Sequence, residues 1–274
     1  MVTGAGSGIG AAAAVELARR DVEVVLVGRS RDKLDRTVTA VAEASGSEPA
    51  SFTADFAELA EVRRLGDELR SAYPRIDVLA NNAGAVAGRR QVTVDGHELT
   101  MQVNHLAAYL LTHELLEPLR AAGQARVIGT ASLAEVWGML DPEDLDGARA
   151  RIHSRWITYG SAKKANILFG SEASRRLHGT GIVATSFHPG VVRSGFGTSS
   201  LFFSLGRLFY ASPESGADTL VHLATHDDAV EFPGGFFADR KLRWSTPDSR
   251  DPDLGRRLWD ASAAAVGVSP DWLT

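Results

Sequence analysis

Short apolar runs of strand length alternate with helical stretches along the whole 274-residue chain, and this alternation limits the possible folds more than any other feature. Residues 22–27 (VEVVLV), 51–54, 76–80, 126–130, 181–186 and 235–238 read as strands. Between and around them, residues 10–20, 30–44, 58–72, 98–119, 158–178 and 214–226 read as helices, with Ser30 as an N-cap for the second. This order predicts an α/β fold, a doubly wound parallel sheet with helices on both faces. No repeat or linker divides the chain, so residues 1–274 are expected to form a single domain. A hydrophobic content of 44% supplies a sizeable core.

The first turn, TGAGSGIG, carries Gly4, Gly8 and Gly10 directly before the first helix. Glycines permit a tight turn and let backbone N–H groups approach a pyrophosphate, whose charge the helix N-terminus favours. A dinucleotide is therefore the expected ligand. Only two residues precede the turn, so the first strand looks truncated, and a complete strand is expected to begin upstream of Met1. At the end of the 22–27 run, Gly28 stands where an NAD enzyme places an acid for the ribose 2′-hydroxyl. Arg29 and Arg31 follow, and their charge favours a 2′-phosphate, so NADP(H) is expected over NAD(H).

Further on, Tyr159 and Lys163 lie four apart in YGSAKKAN and share one helix face. Ser132 ends a strand-to-loop segment, RVIGTAS, NNAG spans residues 81–84, and Asn104 lies in VNHLAAYLL. Together with TGAGSGIG and HPGVVRS at residues 188–194, these motifs resemble the short-chain dehydrogenase/reductase family. VGRS after the second strand, VNHLAAYLLT and RRLWDAS make the chain similar to the retinol-dehydrogenase-like branch. The resemblance implies a Rossmann fold and hydride transfer between a nicotinamide and a small-molecule carbonyl or alcohol. It gives Tyr159 the role of general acid/base, with Lys163 lowering its pKa together with the oxidised nicotinamide. Ser132 would orient the substrate oxygen, and Asn104 would support a proton path behind Lys163. The resemblance further implies cofactor contacts from Gly4, Ser7, Gly8, Ile9, Gly10, Arg29, Asp55, Phe56, Asn82, Ala83, Gly84, Tyr159, Lys163, Pro189, Gly190, Val192 and Ser194. Lys164, one position round the helix, should point away from the site. A homodimer or homotetramer through long helices is also implied.

Substrate is expected beneath the loops outside the strand ends, at residues 133–140 and in a region of about 193–212. Both are apolar, with Trp137, Phe202, Phe203 and Phe209 in them and Trp156 just before the catalytic turn, which points to a lipophilic ketone, aldehyde or alcohol. A net charge of −5 argues against nucleic acid, and no apolar run reaches the length of a membrane span. The absence of cysteine excludes disulfides, thiolate metal sites and a cysteine nucleophile, and a cytoplasmic protein without metal is expected. DPEDLDG lacks calcium-loop spacing and reads as a solvated acidic insertion, while His188, Trp259 and Trp272 read as structural. Two alternatives stay open: a non-catalytic NADP-binding regulator of the same fold, and an isomerase or dehydratase that retains NAD.

Overall fold

A computed structural model describes residues 1–149, 154–190 and 212–273. Among the described residues, eight strands form one sheet: β1 (Val2–Thr3), β2 (Leu26–Gly28), β3 (Ser51–Thr53), β4 (Val78–Asn81), β5 (Ala125–Thr130), β6 (Ile182–His188), β7 (Phe236–Ala238) and β8 (Lys241–Leu242). Their order is β3-β2-β1-β4-β5-β6-β7-β8, parallel except for the β7–β8 pair. Chain order reverses between β1 and β4, and the crevice above such a switch point is where α/β sheets bind ligands.

The helices are α1 (Gly8–Ala18), α2 (Arg31–Ser45), α3 (Leu59–Ala72), the composite α4 (residues 99–114), α5 (Leu116–Ala121), α6 (Arg155–Arg176), α7 (Pro213–Thr225), α8 (Asp228–Glu231) and α9 (Pro252–Val266). Ala13, Ala14 and Leu17 of α1, Leu34 of α2 and Leu220 of α7 pack on one face of the sheet. The other face is covered by Val62 and Leu65 of α3, Leu110 of α4 and Leu168 of α6. Apolar side chains thus cover both faces of the sheet, as the alternating pattern requires. Across α4 and α6 lies α9, whose Trp259 stacks on Phe169 with ring centroids 5.8 Å apart. Trp272 meets Tyr109 edge-on at 4.8 Å, so both late tryptophans are packing residues.

Several boundaries differ from those expected. The β-branched run at residues 22–27 is laddered only from Leu26, because its neighbours β1 and β3 are short and register no lower. β4 starts at Val78 rather than residue 76, β6 extends to His188, and α1 begins at Gly8. Ser30 holds the N-cap position of α2 but makes no side-chain capping bond. The expected continuous helix over 98–119 is broken twice. It is α-helical at Leu99–Met101, π-helical at Gln102–Leu106 and α-helical again at Ala107–Glu114, and Leu115 then leaves helical geometry. The Asn104 side chain donates to the Thr100 carbonyl (2.8 Å), one turn back, and competes with the regular helical bond there.

DPEDLDG is not merely solvated. Asp146 accepts from the Glu98 backbone N–H (2.8 Å) and faces His97 Nδ1 (3.3 Å), which pins the insertion to the start of α4. β8 and α9 carried no expectation. α9 is nonetheless well signed, with Asp251 capping the Asp253 N–H (2.8 Å), Pro252 in the first turn, and Gly267 ending it at φ +67°.

Glu114 joins α3 to α4. A Cβ on Gly66 would lie 2.7 Å from the Glu114 Cβ, so only glycine allows this approach. The carboxylate meets Arg63 (3.2 Å) and Arg70 (2.6 Å). The adjacent His113, then Arg70, hold its pKa down to about 2 against the cost of burial. A depressed carboxylate stabilises the fold above its ordinary value of 4.5 and loses that contribution as pH falls toward about 2. Glu114→Gln is expected to cost about 1–2 kcal/mol at pH 7. In urea denaturation the gap from the parent should close between pH 4.5 and 2.

Candidate active site

The turn between β1 and α1 is tight and closely packed. Gly4 and Gly8 have φ of +67° and +59°, which glycine alone adopts without strain. A Cβ on Gly10 would lie 2.5 Å from the Gly4 carbonyl oxygen and 2.6 Å from Asn82 Nδ2, so the helix start sits directly on the turn. Thr3 fastens this turn to β4. Its hydroxyl accepts from the Asn82 and Ala83 N–H groups (2.9 and 3.0 Å), and Asn82 Nδ2 donates to the Thr3 carbonyl (3.0 Å). Asn82 and Ala83 therefore hold the turn's shape. Thr3, at the head of TGAGSGIG, is their anchor. Ser7 occupies the N-cap position of α1, exposed and without a side-chain capping bond, so its hydroxyl faces outward at the helix N-terminus. Ile9 packs against the core on the α1 side.

At the neighbouring strand ends, Arg29 is exposed and lies 3.8 Å from Asp55. Arg31 turns instead toward β3, donating to Ser51 Oγ (2.9 Å). Asp55 caps its own turn through the Ala57 N–H (2.9 Å). Phe56 is buried in the core, so its side chain does not face the crevice. Gly84 follows β4 at the rim. Pro189 and Gly190, the latter at φ +81°, follow β6. Val192, Ser194, Phe202, Phe203, Phe209 and the rest of the expected 193–212 region up to residue 211 lie outside the described residues. The residues present fit an extended dinucleotide: a tight turn with Gly4 and Gly8 at positive φ, backbone N–H groups at the start of α1, and a cation at the β2 end.

Ser132, Tyr159 and Lys163 converge at the carboxyl end of β5. Ser132 caps a 3-10 turn (Leu133–Trp137), its hydroxyl accepting from the Ala134 N–H at 3.1 Å. Tyr159 is hydrogen-bonded to Ser132, and burial pushes its hydroxyl up to about 12 against that bond. Lys163 donates to the Thr130 carbonyl (2.8 Å), and its Nζ lies 5.4 Å from the centre of the Tyr159 ring. Burial pushes Lys163 down to about 7. In the protein alone, then, burial raises the tyrosine where the lysine is expected to lower it, and the bond to Ser132 is what opposes the rise.

Asn104 sits in the π-turn of α4, donating to Ala85 O (2.6 Å) and Thr100 O (2.8 Å). Its own backbone carbonyl accepts from Asn166 Nδ2 (3.0 Å), which also reaches Thr130 O (3.0 Å). Asn166 thus ties the π-turn to the lysine's acceptor, a link that no local pattern announces. Lys164 points away, as expected, yet it is buried and paired with Asp248 at 3.4 Å. Asn81 also faces away, donating to Thr112 on α4 (3.0 Å).

The Ser132 turn is held from several sides. A Cβ on Gly160 would lie 2.5 Å from the Ala134 oxygen, so the turn and α6 touch backbone to backbone. The Met139 N–H donates to Ser161 Oγ (3.0 Å), and the Leu133 N–H donates to His188 Nδ1 (3.4 Å). His188, its pKa lowered by burial, thereby takes the structural role expected of it. Leu133, Val136, Trp137 and Met139 are all at least half exposed beside Ser132.

A doubly wound sheet, a glycine-lined turn at its switch point and a Ser–Tyr–Lys cluster at the strand ends define the nicotinamide-dependent oxidoreductases of Rossmann type. Residues 1–142 match the family described as short chain dehydrogenase. The chain is similar to a proposed daunorubicin C-13 ketoreductase of Streptomyces sp. (strain C5), 46% identical over 269 residues covering 97% of this chain and 92% of that one. To retinol dehydrogenase 13 of Homo sapiens it is 34% identical over 279 residues, covering 98% and 84%. A crystal structure of an uncharacterised protein from Mycobacterium paratuberculosis superposes with a TM-score of 0.80 at 30% identity, covering 97% and 92%. The chain belongs to the short-chain dehydrogenase family. Among the described residues, no helix is long and apolar enough to cross a membrane.

Proposed function

We propose that the protein is an NADP(H)-dependent oxidoreductase that interconverts a lipophilic ketone or aldehyde and the corresponding alcohol. The observation that carries this reading is the buried Tyr159, bonded to Ser132 and backed by Lys163. A bound nicotinamide dinucleotide supplies or accepts the hydride. Gly4, Ser7, Gly8 and Gly10 would hold its pyrophosphate, Arg29 and Asp55 its adenosine end, and Lys163 its nicotinamide ribose.

In the reducing direction Tyr159 gives its proton to the carbonyl oxygen as that oxygen gains charge, and Ser132 donates a hydrogen bond to the same atom. With a pKa near 12 the phenol is fully protonated at neutral pH, so the protein rests ready to donate. The phenolate left behind favours the charged form of Lys163, whose Nζ lies 5.4 Å from the ring centre, and that positive charge lowers the cost of the transfer. The exposed apolar side chains beside Ser132 support a lipophilic substrate. So do the names of the two relatives, one for a daunorubicin ketone and one for retinol.

Oxidation of NADPH and NADH, followed against a panel of carbonyl compounds, tests the reading. Stoichiometric consumption with an aromatic or long-chain carbonyl is expected, and activity confined to small polar carbonyls would overturn it. The NADP preference has its own test. Arg29→Asp places a carboxylate where the 2′-phosphate would lie, and should lower the NADPH-to-NADH ratio of kcat/KM by about tenfold or more. An unchanged ratio would remove Arg29 from the cofactor site.

A further inference from the structure

Glu135 is a buried carboxylate with no place in the proton transfer. It lies three residues after Ser132, 1% exposed, inside the 3-10 turn that Ser132 caps. All described partners of its carboxylate come from one distant segment. Oε1 accepts from the Thr246 N–H (2.9 Å), and Oε2 accepts from the Thr246 hydroxyl (2.6 Å) and the Ser249 hydroxyl (2.5 Å). The two hydroxyls also face each other at 3.0 Å. A carboxylate out of water needs such donors, because leaving them unmade costs its full desolvation. Glu135 and Ser249 are each 1% exposed, so their bond is made out of water, where it is electrostatically stronger.

The clamped segment, residues 244–250, runs between β8 and α9. It has a second tie to the catalytic helix through Asp248 and Lys164 (3.4 Å). Two residues before the clamp stands Trp244, 83% exposed, with the Arg250 guanidinium 4.7 Å over its ring. Two residues after Glu135 stands the exposed Trp137. Trp137 stands on the Ser132 turn and Trp244 on the clamped segment, so the clamp ties the two segments that carry these exposed indoles to one another beside Ser132. Exposed apolar side chains are informative when grouped, and two indoles on segments joined by a rigid clamp have the form of a substrate wall.

We infer that Glu135 is a positioning residue that locks residues 244–250 onto the Ser132 turn, so that Trp244 and Trp137 form a fixed wall selecting bulky, flat carbonyl substrates over small ones. The inference rests on the oxidoreductase reading above. Loosening the clamp should leave the Ser–Tyr–Lys chemistry in place and release the wall, so the loss falls on binding of large substrates.

The test uses 9-fluorenone and butanone as bulky and small probes with NADPH, on the parent, Glu135→Gln, Glu135→Ala and the hydroxyl-deleted pair Thr246→Val/Ser249→Ala. NADPH binding is followed separately by fluorescence titration, without turnover. Glu135→Ala should raise KM for fluorenone about tenfold, with kcat for butanone and NADPH affinity within about twofold of the parent. Glu135→Gln keeps an acceptor and should recover most of the loss, and the hydroxyl-deleted pair should show the same selective rise in KM. That pair carries the test where Glu135→Ala does not fold. Equal KM for fluorenone in the parent and the folded variants would overturn the inference, as would losses of the same size for both ketones accompanied by weakened NADPH binding. A parent that oxidises NADPH with neither ketone nor any of the wider panel defeats the oxidoreductase reading instead, so the two failures are told apart.

Discussion

Tyr159→Phe is expected to lower turnover by about a thousandfold, while NADPH affinity stays within about twofold and stability within about 1 kcal/mol. The three parts follow from separate observations. The ring stays: phenylalanine keeps the edge-on contact with Trp156, whose centroid lies 6.5 Å away, and the ring under Lys163 Nζ. Removal of the hydroxyl leaves no stranded partner, because Ser132 Oγ still accepts from the Ala134 N–H. The turn expected to hold the pyrophosphate is formed by the β1–α1 connection and the end of β4, whereas Tyr159 stands on α6. Only the proton is lost. The carbonyl oxygen would then have to take its proton from water, and Ser132 alone supplies a hydrogen bond without a proton to give up. Single-turnover NADPH oxidation and equilibrium binding on the same preparation check this. A rate within tenfold of the parent would move the acid to another group.

What the sequence makes legible here is what sits close in the chain. The alternation of strands and helices is a local pattern, and Tyr159 and Lys163 share a face because four residues make about one helical turn. The glycine turn is readable for the same reason. Features made by distant segments are not. Glu135 in LAEVW looks like any surface acid until residues 246 and 249 arrive from far along the chain. Asn166 looks like a polar helix residue until its amide is seen to span Asn104 and Thr130. Strand length shows the same limit: Val24 and Val25 have strand chemistry, but a strand is as long as the ladder its neighbours offer. Asp146 reads as solvated in the sequence because its partner, the start of α4, lies 48 residues earlier.

Gly160 is the sharpest case, since propensity and packing there predict opposite signs. Glycine inside a helix costs about 1 kcal/mol relative to alanine, so by propensity alone Gly160→Ala should stabilise α6. The new Cβ would meet the Ala134 oxygen at 2.5 Å, Gly138 N at 2.8 Å and Gly138 Cα at 3.1 Å. All three are backbone atoms, and Gly138 approaches Gly160 just as closely from its own side, at 2.6 Å, so no side chain can swing aside. The Ser132 turn must shift, or α6 must. Overpacking of this kind costs about 1–3 kcal/mol, which outweighs the helical gain. The chemistry suffers as well, because Tyr159 precedes Gly160 and its bond to Ser132 spans the same contact. A displacement of even about 1 Å is enough to cost about a hundredfold in turnover. Gly255→Ala is the internal control. Gly255 is also helical, in α9, but its added Cβ would meet only Glu172 Cβ at 3.8 Å and Leu168 Cδ2 at 3.9 Å, which is ordinary contact. There propensity should win and raise stability by about 0.5–1 kcal/mol with turnover unchanged. Thermal unfolding and kcat measured on the two variants side by side decide the matter. If Gly160→Ala matches Gly255→Ala in both, the close approach of the serine turn to the catalytic helix does not hold the site together.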